Sequence, residues 1–60
     1  MKYLYDIILD GNCIVNSGDL DFHTKKQAKE DAKTYIIEEL SKEYEREVDD
    51  FEIWVYGNYI

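Results

Sequence analysis

The chain has no proline, one cysteine and one histidine among its 60 residues, and each scarcity excludes a class of site. Because Cys13 has no second cysteine, an internal disulfide and a cysteine-based metal cage are excluded. His23 is equally alone, so nucleophilic catalysis would have only this pair and no evident residue to orient it. There is also no glycine-rich phosphate-binding loop. We therefore expect a protein that is not an enzyme and uses no cofactor or metal.

Basic residues are also scarce, with seven Lys and Arg against fourteen Asp and Glu, which gives a net charge of −7. Nucleic acids and anionic membranes both attract a cationic surface, so direct binding to either is not expected. Six tyrosines could stack on bases, but without cations beside them they are better explained as core or interface residues. The charge fits a basic protein partner, or solubility alone.

Long apolar runs are missing as well. The first nine residues, MKYLYDIIL, are interrupted by Asp6 and are too short for a signal-peptide core or a membrane-spanning helix. With one unpaired thiol, a cytoplasmic location (in a host cell) is the simplest expectation. Residues 1–60 are expected to form one small α+β domain. A chain of this size buries only about 60% of its unfolded surface, so a homodimer is expected to supplement its stability.

The first third of the chain predicts a β-hairpin. Residues Lys2–Leu9 are rich in Tyr and Ile, and Asp10-Gly11 is a typical type I′ turn sequence. Residues Asn12–Asn16 then return as a shorter second strand, followed by a loop at 17–19. Cys13 is expected to be a small buried hydrophobic residue in this strand.

The middle of the chain predicts a long helix. Thr24 is the expected N-cap, and Gln27 completes a capping box with it. The helix is expected to continue to about Arg46. His23, which precedes the N-cap, is expected to be part of the segment that enters the helix. Its apolar stripe has a spacing of four residues: Ala28, Ala32, Ile36, Leu40 and Tyr44. Residues 51–56 alternate again and predict a third strand.

These elements predict a β-β-α-β fold, with a three-stranded antiparallel sheet in the order 2-1-3 and one helix on one face. Asp6 and Glu52 mark the uncovered face, so the core should contain the opposite side chains, namely Tyr3, Tyr5, Ile7, Leu9, Phe51, Ile53 and Val55. The uncovered face, which we call the open face, also receives Cys13 or Ile14. Its apolar residues Leu4, Ile8, Trp54 and Tyr56 are the predicted dimer interface, because exposed apolar patches usually mark interfaces.

Residues 38–52, EELSKEYEREVDDFE, are the most distinctive stretch, and we call them the acidic segment. They carry two bases and eight carboxylates: Glu38, Glu39, Glu43, Glu45, Glu47, Asp49, Asp50 and Glu52. Leu40, Tyr44, Val48 and Phe51 are spaced to be buried, which predicts that the acids lie on a folded surface. Asp19, Asp21, Asp49 and Asp50 do not follow a calcium-loop pattern and are best explained as solvated loop residues.

The charges are distributed against the preference of the helix dipole. Four lysines (Lys25, Lys26, Lys29 and Lys33) precede the glutamates, whereas acids are favoured at the helix start and bases at its end, by about 0.3–1 kcal/mol each. Carboxylates four residues apart stand about 5–6 Å from each other, within a factor of two of the charge spacing along a nucleic acid. The pattern favours a DNA mimic, in which the eight carboxylates bind a basic DNA-binding protein.

In size, charge and expected architecture, with EELSKEYEREVDDFE on a β-β-α-β frame, the chain resembles the small host-takeover proteins of bacteriophages. Within that group it is similar to the DNA mimics that inhibit the nucleoid protein HU. The resemblance implies a homodimer whose carboxylates replace phosphates at a basic cleft of a nucleoid-associated protein; a restriction or CRISPR nuclease is an alternative target. The alternative function is a small structural or regulatory subunit that acts through the open face.

Overall fold

The computed structural model describes residues 2–18 and 20–58. Three strands, β1 (Lys2–Leu9), β2 (Asn12–Asn16) and β3 (Phe51–Asn58), form an antiparallel sheet in the order β2-β1-β3. A helical region between β2 and β3 covers one face of this sheet. The predicted fold is therefore confirmed. The third strand extends two residues beyond the predicted end at Tyr56, because residues 57 and 58 continue the pairing with β1.

The hairpin turn has the backbone conformation that its sequence predicts. Asp10 and Gly11 have φ angles of 52° and 82°, the left-handed conformation that a type I′ turn requires at both central positions. The return strand then contains a β-bulge. Ile8 is opposite Cys13 and Ile7 is opposite Val15, so Ile14 is an extra residue in β2.

The bulge decides which side chains of β2 contact the core. Ile14 and Val15 both pack against the core, whereas Cys13 lies on the open face and is exposed. The prediction that Cys13 is buried is therefore wrong. Cys13 precedes the bulge and is opposite Ile8, so its side chain lies on the open face of an edge strand, where no helix covers it.

The helix begins where it was predicted to begin. The Thr24 hydroxyl accepts a hydrogen bond from the Gln27 N–H at 3.1 Å, which satisfies one of the unpaired amides of the first turn. The Gln27 side chain accepts from the backbone N–H of His23 at 3.1 Å, one residue before the cap. The predicted N-cap is confirmed, but the capping box is not complete, because the Gln27 side chain binds the N–H of His23 and not that of Thr24.

The helical region has three consecutive parts: α1 (Lys25–Tyr35), a π-helical turn (Ile36–Leu40) and α2 (Ser41–Tyr44). We refer to residues 25–44 together as the long helix. In the π turn, the Ser41 N–H donates to the Ile36 carbonyl five residues earlier. A spacing of four residues exceeds one α-helical turn by about 40°, so a long stripe of this kind drifts around an ideal helix. The wider π turn compensates for that drift and keeps Leu40 above the sheet.

The long helix ends at Tyr44, two residues before the predicted end at Arg46. Glu45 has a φ of 53° and reverses the chain, and the Arg46 N–H donates to the Ser41 carbonyl at 3.1 Å. A left-handed residue at this position is the usual way to end a helix, although the residue is usually glycine. A short 3-10 helix (Val48–Asp50) then leads into β3.

The core lies between the long helix and the predicted face of the sheet. It comprises Tyr5, Ile7, Leu9, Ala28, Ala32, Ile36, Leu40 and Phe51, with Tyr3, Ile53 and Val55 half-buried at its margin. Tyr44 and Val48 were predicted to be buried but are 42% and 40% exposed. The helix ends at Tyr44, and the Tyr44 and Phe51 rings lie edge to face with their centroids 6.4 Å apart.

Tyr5 is the one residue of this core with a polar side-chain group, and both its hydroxyl and its backbone N–H form hydrogen bonds. Its hydroxyl donates to Asp31 at 2.8 Å, and its backbone N–H donates to the hydroxyl of the buried Ser17 at 3.1 Å. Burial, with the nearby Asp31 carboxylate, raises the pKa of the Tyr5 phenol far above its usual range. These bonds join β1, the loop after β2 and α1.

Candidate functional site

The acidic segment lies entirely at the surface. All eight of its acidic residues are exposed, on the π turn, α2, the connection that follows it, the 3-10 helix and the start of β3. The backbone that carries them is ordered into hydrogen-bonded turns, and Leu40 and Phe51 anchor it in the core. The acids therefore lie on a folded surface, as the spacing of the apolar residues predicts.

Most of these carboxylates form no ion pair with another described residue. Within residues 2–18 and 20–58, the ion pairs are Lys2–Asp21, Arg46–Asp10 and Arg46–Asp50. The acids of the segment that take part in none of them are Glu38, Glu39, Glu43, Glu45, Glu47, Asp49 and Glu52. Glu52 accepts a hydrogen bond from the Trp54 indole at 3.1 Å. The charge of the segment is thus available to a molecule outside the chain.

Arg46, the only arginine of the sequence, binds two carboxylates of its own chain at the surface. Its guanidinium forms two bonds with Asp10, of 2.7 and 3.1 Å, and its Nε donates to Asp50 at 3.1 Å. The Asp50 carboxylate also accepts the Glu47 N–H at 3.2 Å. The hydrogen bond from Arg46 lowers the pKa of Asp10, and these bonds raise the pKa of Arg46. This cluster ties the end of the long helix to the hairpin turn.

Sequence reasoning missed this cluster, and it treated Asp50 as one of the free acids. Thirty-six residues separate Asp10 from Arg46, so no local pattern connects them. The one available signal was that Arg46 is the only arginine among six lysines. Arginine differs from lysine in that its planar fork can bind a carboxylate through two parallel bonds.

The open face is more polar than predicted. Asn16 donates to Asp6 at 2.6 Å and contacts the Tyr56 hydroxyl at 3.0 Å, and that hydroxyl donates to Asp6 at 3.3 Å. Of the four predicted interface residues, Trp54 is 56% exposed and Tyr56 38%, but Leu4 is half-buried and Ile8 only 6% exposed. Ile8 is shielded because it lies on the central strand between Cys13 and Glu52. Trp54 is the main apolar group that this face presents.

Cys13 and His23 lie at different ends of the sheet. Cys13 is opposite Ile8, near the hairpin turn, whereas His23 follows Phe22, which pairs with Tyr3 at the start of β1. Five residues of strand separate Tyr3 from Ile8, about 17 Å. The two side chains therefore do not form a nucleophile–base pair in this fold.

Residues 2–18 and 20–58 contain no group of three or more His, Cys, Asp and Glu side chains arranged to hold a metal ion. This includes Asp49 and Asp50, whereas Asp19 lies outside the described residues. In the same part of the chain, no helix has the length and apolar character needed to cross a membrane.

Comparison with known proteins returned no relative: no family model matches the chain, and neither a curated protein nor a solved structure is significantly similar to it.

Proposed function

We propose that this protein is a non-enzymatic interaction protein that mimics DNA, with the acidic segment occupying the DNA-binding surface of a basic protein. The observation that carries the proposal is the set of seven exposed carboxylates that have no basic partner among the described residues. Arg46, which would otherwise neutralise part of this surface, is held by Asp10 and Asp50. A histone-like nucleoid protein such as HU is the kind of partner that the proposal favours.

The fixed backbone conformation of the acidic segment also supports mimicry. Glu39 on the π turn and Glu43 in α2 are four residues apart, on consecutive turns of the long helix. The acids that follow lie on a backbone fixed by the Glu45 reversal, the 3-10 helix and the Arg46 cluster. A surface that is already ordered loses little conformational entropy when it binds, so its charges contribute more fully to affinity.

Helix stability alone does not account for the charge distribution. No acid occupies the first turn of α1, and Glu43 lies in α2 beside the carboxyl end of the long helix, where the dipole disfavours it. Each such placement costs a few tenths of a kcal/mol, up to about 1 kcal/mol. A demand for a negative surface at this end of the molecule would explain why the cost is tolerated.

The test compares two charge reversals that change the net charge equally. Glu43→Lys removes an acid from the proposed binding surface, and Glu30→Lys removes one from the lysine-bearing part of α1. With a purified histone-like protein, Glu43→Lys should weaken binding at least about tenfold, and Glu30→Lys much less. Binding should also weaken with salt, and duplex DNA should compete with it. Titration calorimetry measures the affinities, and circular dichroism checks that both variants fold.

Equal losses for the two variants would mean that only net charge matters, and would contradict a defined acidic site. The exposure of Trp54 supports one alternative, a regulatory subunit that binds its partner through the open face. That alternative predicts binding that resists salt and is lost in Trp54→Ala. Mimicry predicts that Trp54→Ala leaves the salt dependence of binding to the basic partner unchanged.

A further inference from the structure

The two edges of the sheet differ in how well they are protected against pairing with another chain. The β2 edge is five residues long and contains the bulge at Ile14, which interrupts a regular ladder. The β3 edge is eight residues long and continuous, pairing with β1 in an unbroken register from Phe51 to Asn58. It contains no proline, lysine or bulge, the devices that usually protect an edge strand. Among the described residues, its only sheet neighbour is β1.

A groove follows this unprotected edge, and we call it the β3 groove. One side is the strand itself, with Phe51 and Ile53 from the covered face and Glu52 and Trp54 from the open face. Because residues of both faces line the groove, it runs along the strand edge. The other side is the long helix, and the groove continues past Val55. An extended strand placed here would meet the free backbone groups of β3 and the apolar side chains on either side.

The two ends of the β3 groove carry different charges. Lys25 and Lys26 line the end beside Val55, and Lys29 lines both parts of the groove. Asp49 and Glu52 line the opposite end, beside Phe51, where Lys33 is the one further charged residue among those described. Antiparallel pairing of two identical strands about a two-fold axis places the acidic end of each copy against the lysine end of the other. A second copy of this chain is therefore complementary to the groove at both ends.

We propose that two copies of this protein associate through their β3 strands, which pair antiparallel and form one continuous six-stranded sheet. The two long helices would then cover the same face of that sheet, with Lys25 and Lys26 of each copy beside Asp49 and Glu52 of the other. Five unpaired acids of the segment would remain for a basic partner. The pairing gives a role to Lys25 and Lys26, which a purely acidic mimic does not need. It also moves the predicted dimer interface from the open face to the strand edge, and it gives a small domain the additional buried area that it lacks.

The test reverses the charges at one end of the groove or at the other. Lys25→Glu with Lys26→Glu makes both ends acidic, and Asp49→Lys with Glu52→Lys makes both ends basic. Each double variant alone should raise the dimer dissociation constant at least about tenfold. An equimolar mixture should restore dimerisation, because every contact in the mixed dimer then joins opposite charges. Sedimentation equilibrium up to about 1 mM detects even a weak dimer.

Isotope-filtered nuclear Overhauser spectra of a mixed labelled and unlabelled sample should show contacts between the β3 strands of the two copies. A wild-type protein that stays monomeric at about 1 mM would overturn the proposal. So would double variants that dimerise as well as the wild type, or intermolecular contacts confined to the open face. Since these measurements use the protein alone, they succeed or fail independently of any basic partner.

Discussion

The two halves of the long helix are stabilised in different ways. The first half, α1, has a well-formed N-cap at Thr24, four lysines, and only the small residues Ala28 and Ala32 directed into the core. The second half, the π turn and α2, carries glutamates against the helix dipole and ends at a left-handed residue. Yet two of the largest fully buried side chains, Ile36 and Leu40, lie in this second half.

The difference between the two halves shows that strong packing beneath a helix allows its surface to carry unfavourable charges. Burying one large aliphatic side chain stabilises a fold by about 1.5–3 kcal/mol, whereas an unfavourable charge near a helix end costs at most about 1 kcal/mol. Packing beneath the second half therefore outweighs the unfavourable charges on its surface. The half whose charge pattern is least favourable for a helix is the half held most strongly by the core.

The largest expected effect comes from removing that packing. Ile36→Ala should destabilise the protein by about 2–4 kcal/mol, because Ile36 is fully buried and the truncation leaves a cavity. Ile37→Ala is the matched control, since its side chain is 54% exposed, and it should cost under about 1 kcal/mol. Urea unfolding at a protein concentration that keeps the chain monomeric measures both values. Equal losses would show that packing is not concentrated on this stripe.

A smaller effect, of opposite sign, is expected at the end of the helix. Glu45 has a φ of 53°, which a residue with a side chain adopts at a cost of about 1 kcal/mol and glycine adopts freely. Glu45→Gly should therefore stabilise the protein by about 0.5–1 kcal/mol.

The matched control for that change is Glu47→Gly. It removes the same charge at a residue with a φ of −72°, so it should be neutral or destabilising. Thermal melts would compare the two variants. A gain in both would attribute the effect to the lost charge, and a gain in neither would argue against strain at Glu45.

The smallest expected effect concerns the cluster that ties the second half to the hairpin. The pKa of Asp10 is lowered from its ordinary 3.8 by the hydrogen bond from Arg46. The cluster's contribution to stability is therefore complete above about pH 4 and is lost as the pH falls through the lowered pKa. Asp10→Asn keeps a residue that tolerates a left-handed turn, and it removes the titrating charge.

Unfolding measured from pH 6 to pH 2 should show a difference between Asp10→Asn and the wild type that is largest at the upper end and disappears at the lower end. A difference that does not change with pH would mean that the variant acts through the turn and not through the ion pair.

Much of the fold follows from local signals. The Asp10-Gly11 dipeptide predicted the hairpin, Thr24 and Gln27 predicted the helix start, and the alternation in β1 predicted the covered face. The errors have nonlocal causes. Cys13 is exposed because it is opposite Ile8 on the open face of an edge strand, and Tyr44 is exposed because the helix ends there. The π turn had a possible signal, the strict spacing of four residues from Ala28 to Leu40, which an ideal α-helix cannot keep on one face.

Local signals are sufficient to predict the order of the elements, the acidic character of residues 38–52 and the exposure of their carboxylates, because turn chemistry, capping and periodicity act over a few residues. Packing of the whole chain is needed to bring Arg46 to Asp10, to join Tyr56 to Asp6 and Asn16, and to place Asp49 and Glu52 at one end of the β3 groove and Lys25 and Lys26 at the other. Those arrangements join residues that are distant in the chain, and they arise when the helix packs across the sheet and brings its two halves beside different parts of one strand.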